Sequence, residues 1–292
     1  PGIGFDLSVA DIYGTICSGG TLYPIKDTYD SVFLNKFIRN NHLTHWVSVP
    51  SAIDIICNKK ICKKDDLISL KKMFFCGEIL KKIHVEKVFN QNKNIKILNT
   101  YGPTETTVSC TELLLTHKNY KQYAYPNVSI GKSIKNMKIG LINKLNKNEG
   151  ELYISGPQLS PGYLNNEKLN KSKFIKLNNK KVFVTGDICK ITKGKYYFLN
   201  RKDRQIKLFG NRIELNEIDC VIGEIFKVVS YSVVLNSNII TFVEKYSDHK
   251  KIRIKLLKYI PEYMMPKRFI TISNWPRNKN FKIDEKKLLL NN

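Results

Sequence analysis

Residues 73–107, MFFCGEILKKIHVEKVFNQNKNIKILNTYGPTETT, decide the fold. An apolar run (MFFC, 73–76), a helix-like segment (EILKKIHVEKVFNQ) and a second apolar run (IKILN, 95–99) follow one another. That is the strand–helix–strand order of a parallel sheet with helices on its faces. Upstream the order repeats: SVFLNKFIRNN has helical spacing at Phe33, Phe37 and Ile38, THWVSV reads as a strand, and PSAIDIICN as a helix opening on Pro50. The opening FDLSVAD places core-like residues in alternation. In such sheets ligands bind at the carboxyl ends of the strands. Pro50-Ser51, Cys76-Gly77-Glu78 and Thr100 to Thr107 therefore share one candidate edge.

From about 111 to 200 the pattern shortens to alternating strands, KIGLIN, GELYISG, KVFVTGD and KYYFLNR, split by Gly-, Asn- and Lys-rich turns. A small β-barrel or distorted sheet is expected there. RQIKLFGNRIELNEID then reads as a hairpin around a Gly-Asn turn. A helix follows, with Ile218, Val221, Ile222 and Ile225 on one face. SYSVVLNS, IITFVEK, a basic helix near 250–259 and KRFITIS complete a compact α+β domain whose boundary falls at Arg201–Arg204. No internal repeat is evident.

The 292 residues carry 42% hydrophobic side chains and a net charge of +24. No apolar run is long enough to span a bilayer, and the first residues lack the basic region of a signal peptide. They read as the middle of a folded segment, so the chain is expected to be the C-terminal part of something longer. Its lysines are scattered and mixed with Asn and Ile, without an Arg-rich block or interleaved aromatics. An acidic protein partner fits that charge better than nucleic acid. Seven scattered cysteines, with no CxxC pair, point to a reducing cytosol.

The loop NTYGPTETT (99–107) carries the most chemistry. Taken bare, Tyr101 can stack on a base, Thr104 can donate to a phosphate oxygen, and Glu105 can hold Mg²⁺, which takes one or two carboxylates plus phosphates. A structural turn explains Gly-Pro equally well. Order along the chain narrows the choice. NTYGPTE, GELYISGPQLSPGYL (150–164), VTGD (184–187), NRKDRQIKLFGNRIELNEID (200–219), IPEYMMP (260–266) and NFKID (280–284) resemble the successive motifs of the adenylate-forming (AMP-binding) superfamily. Within it, FDLSVADIYGTICSGGTLYPI, FFCGEIL and QIKLFGNRIELNEI are similar to the amino acid adenylation enzymes that load D-alanine onto a carrier protein.

The resemblance implies an α/β plus α+β architecture of the luciferase-like type. It comprises a partial α/β lobe at 1–110, a β-rich barrel lobe at 111–202, and a mobile C-terminal domain at 203–292. The chain then corresponds to the C-terminal 60% or so of such an enzyme. The Ser/Thr/Gly-rich phosphate loop of the family is expected upstream of residue 1. The implied reaction is ATP-dependent formation of an aminoacyl adenylate with release of pyrophosphate, then transfer to the phosphopantetheine thiol of an acidic carrier protein, in a cytoplasmic enzyme, monomeric at full length. Activation of another amino acid, an acyl-CoA ligase and an inactive carrier-binding fragment are the alternatives; nucleic-acid binding and membrane insertion are not expected.

The same resemblance assigns roles. Asp6 pairs with the substrate ammonium, Cys76 narrows the side-chain pocket, and Leu7, Ala10, Thr100, Gly102, Val108 and Ser109 line it. Tyr101 and Phe198 flank the adenine; Gly77, Glu78 and Asn99 join the nucleotide site; Thr104 meets the α-phosphate and Glu105 the Mg²⁺. Asp187 takes the ribose hydroxyls, as a carboxylate's paired oxygens suit, and Arg201 adds charge beside them. Asp203 is the hinge, Gly210 borders the pantetheine channel, and Lys282 is the mobile catalytic cation. Two positions depart from the family: Phe281 replaces the Gly before that lysine, and Asn200 the Gly before Arg201.

Overall fold

The computed structural model describes residues 3–63, 65–124, 127–245, 248–277 and 283–290. The chain divides into two compact units, Pro1–Lys202 and Asp203–Asn292. Among the described residues no helix is long and apolar enough to cross a membrane.

The first unit is built on two sheets. One runs β1 (His45–Ser48), β2 (Lys72–Phe75), β3 (Lys96–Tyr101), β4 (Thr111–Leu115) and β5 (Lys132–Ser133) in that order. Its first three strands are parallel and the last two antiparallel to their neighbours. Ser48, Phe75 and Asn99 stand side by side in register, so β1 and β2 end level, β3 runs on to Tyr101, and all three release their loops on one edge. Helices α1 (Leu7–Cys17), α2 (Thr28–Val32), α3 (Leu34–Asn40), α4 (Ala52–Ile56) and α5 (Lys82–Gln91) accompany this sheet. A core of Ile38, Trp46, Ile53, Met73, Phe75, Val85, Val88 and Ile97 joins α3, α4 and α5 to its strands.

Several boundaries differ from the sequence reading. From Leu7 onward FDLSVAD is helical, because Leu7 and Ala10 share a helix face and pack on one apolar cluster. The segment 31–41 breaks at Phe33, which leaves the helical region at φ −109°, ψ 49°. Residues 77–81 stay outside α5, since Gly77 adopts φ +93° and the Leu80 carbonyl accepts from Val128 N–H at 2.8 Å.

The four strands expected between 111 and 200 all form, as β6 (Lys138–Asn146), β7 (Glu149–Ser155), β9 (Lys180–Thr192) and β10 (Lys195–Arg201). They do not close into the expected barrel. The order is linear, β10-β9-β7-β6, with β8 (Phe174–Leu177) pairing on β9 after α6 (Glu167–Lys173). The β10 edge is instead taken by the chain entering β5: Ile130 N–H donates to the Tyr196 carbonyl at 2.9 Å, and Tyr196 N–H to Gly131 at 3.3 Å. Satisfying an edge this way removes the need for closure.

The second unit holds a hairpin, β11 (Gln205–Leu208) and β12 (Asn211–Glu214), and a sheet β13 (Ser230–Leu235), β14 (Asn238–Glu244), β15 (Arg268–Ile272). Leu208 pairs with Asn211, so the turn is Phe209-Gly210, one residue earlier than read. Both have positive φ, 50° and 83°, the conformation a tight two-residue hairpin demands. Helices α7 (Leu215–Phe226) and α8 (His249–Leu256) cover one face through Ile218, Ile222, Ile252 and Leu256. α9 (Glu285–Leu290) covers the other through Leu288 against Val233, Ile240 and Phe242.

Candidate active site

The carboxyl ends of β1, β2 and β3 bring three loops together, and side-chain bonds lock them. Ser51 N–H donates to Glu78 Oε2 at 3.1 Å, tying the loop after β1 to the loop after β2. Thr100 Oγ1 donates to the Phe75 carbonyl at 3.0 Å, and the buried Asn99 amide donates to Ser129 at 2.8 Å. A side chain at Gly77 would crowd Val49 Cγ1 at 3.2 Å as well as strain the backbone.

Beyond β3 the chain folds back on itself. A Cβ on Gly102 would lie 2.7 Å from Ser109 Cα and 2.8 Å from the Val108 carbonyl, so only glycine permits this approach. Thr107 and Val108 sit at φ 50° and 62°, an outlying conformation for β-branched residues. Such strain persists only where surrounding bonds impose it. Here Val108 N–H donates to Asp6 Oδ2 at 3.1 Å and its carbonyl accepts from Cys76 Sγ at 3.2 Å. Leu7, Cys76 and Val108 form one buried cluster joined by Ala10, Val47, Val49 and Phe74. A carboxylate thus stands at the rim of a small apolar patch. Val47, Val49 and Phe74 escaped the sequence reading, although Val47 and Phe74 are paired in register and share a face.

A second group gathers where the two sheets meet. Asp187 and Thr185 lie on β9, Arg201 on β10, and Tyr101 ends β3. The Tyr101 hydroxyl donates to Asp187 Oδ2, while Arg201 donates to Asp187 Oδ1 at 2.6 Å and to the Thr185 carbonyl at 3.2 Å. Burial, and then the Asp187 carboxylate, push the Tyr101 phenol well above its ordinary range, so it stays a donor. Tyr101 and Phe198 both pack on Ile130, Leu152 and Cys189. Burial also raises the Cys110 thiol to about 12 and the Cys189 thiol further, which keeps both protonated and unreactive at neutral pH.

Thr104 is exposed on a single turn, Thr104–Thr106, that follows Pro103; Glu105 beside it is buried. Glu105 Oε1 accepts from the Tyr163 hydroxyl, a partner the sequence reading did not supply. Among the described residues no three His, Cys, Asp or Glu side chains converge. One buried carboxylate suits magnesium, which completes its shell from phosphate and water. In the second unit, Asp203 opens the chain and accepts from Gln205 N–H at 3.3 Å, and Gly210 occupies the hairpin turn. Lys282 and Phe281 lie outside the described residues.

Residues 2–164 match the family model described as AMP-binding enzyme, and the chain belongs to that family. The D-alanine--D-alanyl carrier protein ligase of Lacticaseibacillus casei (strain BL23) is 31% identical over 99% of this chain and 61% of its own length. The enzyme of the same description from Listeria monocytogenes serotype 4a (strain HCC23) is 31% identical over 97% and 60%. This chain therefore spans about three fifths of the curated relatives it matches. Among solved structures, the Vibrio cholerae adenylation domain AlmE in complex with glycyl-adenosine-5'-phosphate superposes with a TM-score of 0.87 at 28% identity, over 99% of this chain and 57% of that one.

Proposed function

We propose that the protein carrying this chain activates a small amino acid, D-alanine, with ATP and passes it to the phosphopantetheine thiol of an acidic carrier protein. The observation that carries this reading is the placing of Asp6, Cys76 and Val108 together beside the Tyr101–Asp187–Arg201 group. Asp6 offers a carboxylate to an α-ammonium, and the Cys76–Val108–Leu7 cluster supplies apolar side chains suited to a methyl group. Similarity to D-alanine ligases supports the same substrate.

The substrate carboxylate is ionised at neutral pH, so its oxygen attacks the α-phosphorus without a general base. A carboxylate–phosphorus bond forms, the bond to the β-phosphate oxygen breaks, and pyrophosphate leaves. Lys282 and Thr104 would steady charge at the α-phosphate; Asp187 would hold the ribose, and Glu105 a magnesium ion that neutralises the phosphates. Asp187 already meets Tyr101 and Arg201, but a carboxylate offers about four lone-pair sites and can accept more. In the second step the carrier's sulfur attacks the acyl carbon and AMP leaves, after the chain pivots at Asp203 and the Gly210 turn replaces Lys282. Such alternation explains how one site serves two reactions.

Pyrophosphate exchange by the complete protein, tested with D-alanine, L-alanine, glycine, serine and plain propionate, separates the readings. D-alanine should give the highest kcat/KM and propionate none; no exchange with any amino acid overturns the proposal. Glycine is the second reading, favoured by the likeness to the glycyl-adenylate-bound AlmE domain. Lys282→Ala should abolish exchange yet spare transfer from preformed adenylate.

A further inference from the structure

Glu105 sits on a turn of three residues, Thr104–Thr106. The loop between β7 and α6 reaches it at two points. Ser160 N–H donates to the Glu105 carbonyl at 2.8 Å, and the Tyr163 hydroxyl donates to Glu105 Oε1. Tyr163 is itself gripped on both sides of its backbone by one α6 side chain. Its N–H donates to Asn170 Oδ1 at 2.7 Å, and Asn170 Nδ2 donates to its carbonyl at 2.8 Å. A carboxamide gives from its nitrogen and takes at its oxygen, as these two bonds require.

The grip depends on Gly162, at φ +144°, where a Cβ would fall 2.7 Å from Asn170 Oδ1. The ring rests edge-on against Phe174, whose centroid is 5.6 Å away. Lys181 lies over the same Phe174 at 4.8 Å and donates to the Pro161 carbonyl at 2.6 Å. The loop is thus fastened on each flank of the tyrosine, and the one hydroxyl it projects ends on the buried carboxylate.

We propose that Tyr163, held by Asn170, is a positioning residue that orients Glu105 toward a divalent cation carried by the nucleotide. The proposal rests on the magnesium role given to Glu105 above. With its hydroxyl on Oε1, Tyr163 restrains the rotation of the carboxylate. A loop that merely braced the fold would need the ring and the Asn170 bonds but not that hydroxyl.

Tyr163→Phe keeps the ring and the backbone grip and removes only the oxygen. Binding of Mn²⁺ to the complete protein with ATP, followed by electron paramagnetic resonance, reads the site without turnover. The Mn²⁺ dissociation constant should rise by about 10- to 100-fold, the range a charge-assisted hydrogen bond supports. Affinity for ATP without metal, and the thermal midpoint, should stay close to wild type. Asn170→Asp, which keeps the acceptor and loses the donor, should move the metal constant in the same direction. An unchanged Mn²⁺ constant in Tyr163→Phe overturns the proposal, as does a wild-type protein that binds no Mn²⁺ with ATP. Absence of exchange with every amino acid would instead remove the substrate assignment and leave the metal measurement standing.

Discussion

At the residue scale, the site is held by contacts that single substitutions can separate. Asp6 has two tasks, accepting from Val108 N–H and, in the proposed function, facing an ammonium. Asp6→Asn preserves the first because an amide oxygen still accepts, and removes the charge needed for the second. The expected outcome is a rise of about 10- to 100-fold in KM for the amino acid, the worth of a charged hydrogen bond, with little change in kcat or thermal midpoint. An unaltered KM would sink the ammonium role. Gly102 is a packing matter: its Cβ would strike backbone that has no side chain to move. Gly102→Ala should cost about 1–3 kcal/mol, as overpacking does. In contrast, Gly14→Ala in α1 meets nothing within 4 Å and should stabilise by about 0.5–1 kcal/mol. Urea unfolding of both variants checks the contrast. Asp6, Cys76 and Val108 were legible in the sequence through family motifs. The Tyr163–Glu105 bond was not, because 58 positions separate its partners and no local pattern records their meeting.

At the scale of elements, two charged clamps fix segments that would otherwise be loosely tied. Asp66, almost fully buried, fastens the segment after α4 to α3: it accepts from Lys63 N–H at 2.9 Å, Asn35 Nδ2 at 2.6 Å and Arg39 at 2.8 Å. Burial opposes its charge, yet these donors together hold its carboxyl below the ordinary 3.8. A depressed folded-state value means the stabilisation is complete above about pH 4 and fades as pH falls through that lower value. Asp66→Asn should therefore cost about 1–3 kcal/mol at pH 7 and progressively less toward pH 2. In the second unit Arg204 bonds Asp219 at 2.7 Å and Asn216 at 2.6 Å and lies 3.7 Å from the Tyr231 ring centroid, pinning the unit's first residues to α7 and β13. Arg204→Ala should destabilise that unit by about 1–3 kcal/mol, since Asp219 loses its charged partner and keeps the Ser232 hydroxyl at 2.7 Å. Trp46 and Trp275, one in each unit, allow separate readings: Trp275→Phe isolates the first and Trp46→Phe the second. Apolar periodicity made most of these elements readable, including four of the five strands of 138–201 and the buried face of α7. Barrel closure was misread because period-two alternation says which face is buried and nothing about which edges meet. The short β5 and α6 carry too few residues to show any period.

For the molecule as a whole, the excess of 49 basic over 25 acidic residues is the property no single site explains. It shapes encounter more than contact, since a field of one sign gathers an oppositely charged partner from beyond touching distance. α8 and the turn after it illustrate the imbalance: Lys250, Lys251, Arg253, Lys255 and Lys258 are exposed there without an acid among residues 249–259. If the partner is an acidic carrier, salt must act on loading and spare adenylation, because exposed charges are screened over about 8 Å at physiological ionic strength while a small amino acid enters a largely buried cluster. The rate of carrier loading at low carrier concentration should fall by about tenfold between about 50 and 500 mM NaCl. Pyrophosphate exchange at saturating ATP and amino acid should change less than about twofold over the same range, since both ligands are already bound. Equal salt sensitivity of the two reactions would place the effect in the fold or in ATP binding, and a salt-independent loading rate would reduce the charge to composition. Duplex DNA added at 150 mM salt gives the remaining comparison. If the basic residues form no continuous nucleic-acid track, DNA should leave loading unaffected at concentrations where an acidic carrier lacking its phosphopantetheine competes.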